Sequence, residues 1–262
     1  MIDFHNHIWL PDDPHGDNLV RAMDAFGIER TLVYACPTNV WSYTGDNEDV
    51  ARAIRRHPER LMGAMHLDLR EGLSTCLEKV CKYADQGFSG AKMFPSLGFY
   101  PDAAEFFPVY AALAERGIFV AFHLGYLAPS NVRNTPMSAR FSQPFAIELP
   151  ASTFPSLRFI CCHMGGNPGY EQTLCLIRYY PNVWADLAPG HGVEAFRFMG
   201  RLIEIVRWDK LLWGTDDNSA TWPELLEFWR RHAAEHGYSD KLSDMMDGNA
   251  RGFMKWTDQS RR

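Results

Sequence analysis

The sequence predicts an α/β protein, a single (β/α)8 TIM barrel with an extra C-terminal helix, running over residues 1–262 as one domain. Three observations predict it. Eight short apolar runs punctuate the chain, and a helical pattern fills the gaps between them. Strand starts recur about every 30 residues, the rhythm of βα units on a parallel sheet. The length of 262 residues suits one such barrel, which commonly needs about 250. A doubly wound open sheet is the alternative, and eight evenly spaced units favour closure.

The elements follow in order. The first apolar run is Ile2 to Trp9, and the next are residues 31–36, 61–67 and 90–94. The later ones are residues 118–123, 157–163, 182–186 and 211–216. Near-continuous apolar runs of this length suit strands covered on both faces. A helix from Asp17 to Phe26 ends at Gly27, a C-cap residue. One from Asp46 to His57 stops before Pro58. Others run from Gly72 to Gln86 and from Asp102 to Arg116, each followed by glycine. Further helices are expected within 142–153, 167–180, 194–207 and 222–236, with a last one over 239–255.

A hydrophobic share of 46% and an aromatic share of 13% suit a sizeable core. The net charge of −6 argues against non-specific nucleic-acid binding. The six cysteines contain no C-x-x-C pair, which predicts reduced thiols in a cytoplasmic compartment rather than a disulfide scaffold. Asp3 and His5 interrupt any apolar stretch at the start, so no signal peptide is expected. No apolar run is long enough for a transmembrane helix, so no membrane partner is expected either.

In a (β/α)8 barrel the active site lies where the strands end. Strand 1 ends with His5 and His7, two apart and therefore on one face of a regular strand. Strand 4 carries Lys92, strand 5 ends at His123, strand 6 at His163 and strand 8 at Asp216. Each has an ordinary reading. A strand-end histidine is often solvated, Lys92 could snorkel out of the core, and Asp216 could cap the next helix. Four histidines and an aspartate at one end of the barrel are better explained together. Imidazole and carboxylate suit Zn²⁺, and also Mn²⁺ or Fe²⁺, and an open position on such an ion makes a catalytic site. His66 and Asp68 close strand 3 in a similar way, with both readings open. His15, His57, His191, His232 and His236 fall in loops or helices and are mostly read as surface residues.

These motifs, in this order, resemble the amidohydrolase superfamily, and most closely its amidohydrolase-related (amidohydrolase 2) branch. The stretches that carry the resemblance are Ile2-Asp-Phe-His-Asn-His7, Gly90-Ala-Lys-Met-Phe-Pro95, Cys162-His-Met-Gly-Gly166, Trp213-Gly-Thr-Asp216 and Gly248-Asn-Ala-Arg251. Together they span essentially the whole chain. The resemblance implies that His5, His7, His123 and Asp216 hold one divalent metal, usually zinc. It implies that Asp216 takes the proton of the attacking water and that His163 orients or protonates the reacting group. Lys92 would contact an anionic substrate; other branches of the superfamily carbamylate the equivalent lysine to bridge a second metal. After the strand-8 aspartate the family often has an aromatic residue and a proline, whereas Asp217-Asn218-Ser219 stands here and alters the rim of the pocket.

The expected reaction is hydrolysis of a small lactone, ester or amide by a metal-activated water. Non-oxidative decarboxylation of an aromatic or muconate-type acid is the alternative, and a barrel that binds without catalysing is a third reading. The strand-1 loop is short, which tilts the choice toward hydrolysis. Lys92, Arg133, Arg140 and Arg70 are candidates to meet a substrate carboxylate. Trp9, Trp41, Tyr43, Phe99 and Tyr100 are candidates to wall a ring-shaped pocket, with ordinary rim packing as the competing reading. A small molecule bearing a ring and a carboxylate is the expected partner, and the outer helices leave room for a homo-oligomer.

Overall fold

The computed structural model describes residues 1–127, 136–189 and 206–259. Eight parallel strands form one sheet in sequence order. They are β1 (Ile2–Asn6), β2 (Arg30–Tyr34), β3 (Leu61–His66), β4 (Gly90–Met93), β5 (Phe119–His123), β6 (Phe159–Cys162), β7 (Val183–Asp186) and β8 (Leu211–Leu212). The end of β8 returns to β1. The Phe4 amide donates to the Trp213 carbonyl at 2.9 Å and the Asp216 amide to the His5 carbonyl at 2.7 Å. The expected barrel is therefore closed by backbone hydrogen bonds that run through two of the candidate site residues.

Helices cover the strands. They are α1 (Asp17–Phe26), α2 (Asn47–Arg56), α3 (Leu73–Ala84), α4 (Phe107–Glu115), α5 (Glu148–Thr153) and α6 (Tyr170–Tyr179). After β8 come α7 (Trp222–His236) and the extra C-terminal helix α8 (Asn249–Gln259). Gly27 ends α1 in the left-handed conformation at φ 69°. Asp46 caps α2 by accepting from the Glu48 and Asp49 amides, and the Asp49 side chain accepts in return from the Asp46 amide. The stretch expected as one helix over 102–116 splits into a 3₁₀ turn at Ala104–Phe106 and α4, where Pro108 suits the first helical turn. Residues 239–255 divide into a 3₁₀ turn (Ser239–Lys241), a π-helical turn (Asp244–Gly248) and α8. The helix expected over 194–207 lies outside the described residues but for its last two positions.

Two apolar layers hold the strands. The inner layer fills the barrel with Ile2, Phe4, Leu32, Phe119, Ile160 and Leu212, closed below by Phe253 of α8. The outer layer packs strand residues such as Val33, Met65, Val120 and Phe122 against the helices. Each such side chain contributes roughly 1.5–3 kcal/mol by leaving water. All six cysteines are free. Among the described residues no helix is long and apolar enough to cross a membrane.

Candidate metal centre

The strand ends converge as the sequence predicts, but β1 does so irregularly. Simple alternation puts Phe4 and His5 on opposite faces. The pairing of β1 with β2 shifts register between Asp3 and Asn6. Phe4 consequently packs in the inner layer beside Tyr34, and the His5 ring lies 4.5 Å from that same Tyr34 ring. A β-bulge of this kind re-aims a side chain at the rim of a barrel.

A network of buried polar groups pins the bulge to the end of β8. Asp3 accepts from the His5 amide, the Asn6 side chain, the Thr215 amide and, at 2.6 Å, the Thr215 hydroxyl. Asn6 in turn accepts from the His7 amide at 2.6 Å and from Trp9 Nε1 at 3.0 Å. Gly214 lets the two chain segments touch, because a Cβ there would lie 2.5 Å from His5 Cβ. His163 and Asp216 adopt the left-handed conformation, at φ 57° and 47°. That geometry costs roughly 1–2 kcal/mol for a residue with a Cβ and concentrates at functional sites. Gly125 and Gly166 bring the turns after β5 and β6 together, since a Cβ on Gly166 would lie 2.7 Å from Gly125 Cα.

The result is a cluster of donors. His5, His7 and Asp216 each offer one ligand atom, all within 4.8 Å of one another. His7 Nε2 lies 2.9 Å and His5 Nε2 3.6 Å from Asp216 Oδ1. The far side of each imidazole is already committed. His5 Nδ1 faces Asp186 Oδ2 at 2.9 Å, and His7 Nδ1 faces the Tyr34 carbonyl at 2.8 Å. Both partners can only accept, so both Nδ1 atoms carry a proton and both Nε2 atoms face the cluster. This is the tautomer that metal ligation requires, held by partners of the kind that orient metal-bound histidines. The residues present therefore fit a divalent cation, and the mixed imidazole–carboxylate set suits zinc, manganese or iron.

His123 and His163 complete the wall. His163 Nδ1 donates to the Ala188 carbonyl, and His163 Nε2 lies 3.0 Å from His123 Nδ1. That relay leaves the proton on His123 Nδ1 and the lone pair on His123 Nε2. His123 stands outside the 4.8 Å group but lines the same cavity of about 180 Å³, together with His163, Lys92 and Trp9. Lys92 is fully buried at the cavity floor, with Nζ 2.8 Å from Cys162 Sγ and 3.5 Å from His5 Nε2. Cys162 thus packs against the site rather than being a remote core thiol.

Burial dominates the electrostatics. It pushes His163 down to about 3. Burial, His163 and Lys92 hold His123 well below the usual imidazole range, and burial with Lys92 also lowers His5. Burial works to raise Asp216, but the neighbouring His5 and His7 outweigh it and hold the carboxyl well below its ordinary range. His7 is the exception: burial opposes its charge, yet the Cys36 sulfur and Asp216 raise it well above normal. Without a cation His7 therefore carries its second proton on Nε2, facing the ionised Asp216, and a divalent cation would displace that proton.

The other candidates divide. Trp9 and Tyr43 stack with rings 3° from parallel, and they line the cavity with Trp41. Phe99 is buried in the outer layer, and neither it nor Tyr100 lines the cavity. Arg70 is held by Asp68 and the Leu97 carbonyl, and Arg140 by the Tyr100 hydroxyl. Arg133 and His191 lie outside the described residues. His66 and Asp68 face a separate cavity. His232 is buried, not at the surface, where its Nδ1 meets the Tyr238 hydroxyl at 2.6 Å. Sequence reasoning missed Asp186, Asp3 and Asn6. Asp186 ends β7 just as His123 ends β5, so the strand-end rule could have found it.

Comparison with known proteins agrees with the fold. The profile of the amidohydrolase family matches residues 2–251. No curated protein sequence matches. Among solved structures, an uncharacterized TIM-barrel protein of Bordetella bronchiseptica is similar at 17% identity and TM-score 0.74, over 98% of this chain and 99% of that one. A probable 2-pyrone-4,6-dicarboxylic acid hydrolase of Acinetobacter baumannii, with citric acid bound, is similar at 15% identity and TM-score 0.67, over 96% and 98%. A 2,6-dihydroxybenzoate decarboxylase of Rhizobium is similar at 16% identity and TM-score 0.64, over 97% and 98%. At such identities the likeness is one of fold, and it extends equally to a hydrolase and a decarboxylase.

Proposed function

The chain belongs to the amidohydrolase family, and from that premise we propose that it is a metal-dependent hydrolase of a small lactone, ester or amide that carries a carboxylate, on a ring-sized body. The observation that carries this reading is the convergence of His5 Nε2, His7 Nε2 and Asp216 Oδ1, with both imidazoles fixed in the ligating tautomer. His123 is the fourth ligand in this reading, through the lone pair that His163 leaves on Nε2. Zinc is the favoured ion, with manganese and iron as alternatives, and one ion is favoured over two bridged by a carbamylated Lys92. A cation held there supplies Lewis acidity and lowers the pKa of water toward about 7.

The chain's own residues do the rest. Asp216 accepts the proton of the water, for which its carboxylate is held ionised. His163, 3.8 Å from Asp216 Oδ2 and with Nε2 on His123 Nδ1, orients the groups that meet the reacting carbonyl. Lys92 brings positive potential to the floor and favours an anionic substrate. Trp9 and Tyr43 offer a stacked apolar wall. The citric acid bound by the Acinetobacter protein is in keeping with a carboxylate-bearing ligand. Arg133 is proposed as a second contact for that carboxylate.

Decarboxylation is the second reading. The decarboxylase match runs the full length of both chains, so a short chain does not by itself select hydrolysis. One experiment separates them. Metal-reconstituted protein is incubated in ¹⁸O-labelled water with a panel of carboxylated lactones and amides, and separately with hydroxybenzoates. Label in a product carboxylate without carbon dioxide release supports hydrolysis. Carbon dioxide release without label transfers the site to the lyases.

A further inference from the structure

The opposite end of the barrel, where the strands start, holds a cavity of about 470 Å³. It shares no residue with the cavity at the metal centre. Its walls include Phe4 of β1, Phe119 of β5 and Phe253 of α8, and the Phe253 ring meets each of the other two edge to face at 5.2 Å. Three guanidinium groups line it: Arg30 at the start of β2, Arg55 of α2, and Arg158 just before β6. Among the described residues neither Asp nor Glu lines it. The chain carries 32 acidic residues against 26 Lys and Arg, so a pocket this one-sided runs against the overall charge.

The three arginines are not equivalent. Arg158 is fixed in place by the Phe253 and Gly117 carbonyls and lies 4.2 Å over the Phe253 ring. Arg55 reaches Gln86 Oε1 at 3.2 Å. Arg30 has a buried Nε with no hydrogen-bond partner among the described residues.

We propose that this cavity is a second ligand site, for a small organic monocarboxylate with an apolar, ring-sized body. A guanidinium presents parallel N–H donors that match two carboxylate oxygens, and Arg30 offers one at the wall of this cavity. The phenylalanine rings take the apolar body edge or face on. The volume lies in the range of small-molecule sites. The ligand is not the reacting substrate, because the site sits across the barrel from the metal centre.

The test uses 4-bromobenzoate and the metal-loaded full-length protein. Binding is measured by calorimetry for the wild type, Arg30→Gln and Lys92→Met, and bromine is located by anomalous diffraction in co-crystals. The expected result is a bromine peak inside the cavity lined by Arg30, Phe119 and Met254, a Kd at least tenfold weaker in Arg30→Gln, and that same site unchanged in Lys92→Met. Binding that survives Arg30→Gln but disappears in Lys92→Met, or no binding at millimolar concentration, overturns the proposal. Should Arg30→Gln fail to fold, Met254→Trp fills the cavity from α8; it must abolish the same binding, and retention of binding refutes the site.

Discussion

At the scale of single residues, the placement of protons decides what the site can hold. Asp186 is the clearest case: one oxygen holds His5 Nδ1 at 2.9 Å and the other takes the His163 amide at 2.8 Å. Asp186→Asn can turn an N–H toward His5 and reverse its tautomer. Metal affinity should fall about 10- to 100-fold with circular dichroism unchanged, as read by chelator competition. Asp216→Asn should fold well, because asparagine tolerates the positive φ of this position. Turnover should nonetheless fall by at least about 100-fold, the contribution of a lost general base. His66 gives a stability test away from the metal. Its Nε2 is buried without a hydrogen-bond partner among the described residues, and burial lowers its pKa from 6.5 to about 4. The unfolded chain binds this proton first as pH falls, so stability is fully present above 6.5 and is lost between 6.5 and about 4. The loss amounts to about 3 kcal/mol. Urea unfolding across that range should show a flatter acid limb for His66→Phe, and an unchanged limb would refute the assignment. The ligand candidates His5, His7 and Asp216 were legible because each closes an apolar run of the sequence, although β1 stops at Asn6 and β8 covers only Leu211–Leu212 of the expected 211–216. Asp186 was equally placed but sat in a run that reads as ordinary strand, Asn182 to Asp186.

At the scale of elements, helix ends were read well where a side chain or glycine dictates them. The bounds of α1 and α7 follow from Gly27 and Gly237, both in the left-handed conformation. The β1 bulge was not legible, because alternation assumes an unbroken ladder and the cause is a long-range network joining Asp3 to Thr215. The Asn249 side chain explains the C-terminal motif in the same way, by donating to the Trp208 and Leu211 carbonyls and so tying α8 to β8. The closure of β8 onto β1 predicts the effect of Gly214→Ala. Its methyl group would meet His5 Cβ at 2.5 Å and the His5 amide nitrogen at 2.8 Å. Overpacking of this kind costs about 1–3 kcal/mol. The urea midpoint should drop accordingly and metal affinity should weaken with it; full stability in Gly214→Ala would contradict the closure described here.

At the scale of the molecule, the barrel separates two kinds of work. The inner and outer apolar layers carry stability. The strand-end rim carries three left-handed non-glycine residues, His163, Met164 and Asp216, a bulge and a set of buried polar groups that a stability optimum would not retain. A cation bound at that rim joins β1 to β8 and should couple metal loading to folding. At 100-fold excess over Kd, linkage predicts about 2.7 kcal/mol of added stability, visible as a metal-dependent rise in Tm. The central claim is that His5, His7 and Asp216 form the core of a metal site. It is tested most directly by metal content per chain, measured by elemental analysis on the wild type and on a His5→Ala/His7→Ala double variant. The account predicts about one equivalent of zinc, manganese or iron in the wild type and its loss in the variant. No metal in either protein, even after reconstitution, would contradict it and leave a barrel that binds its ligand without metal chemistry.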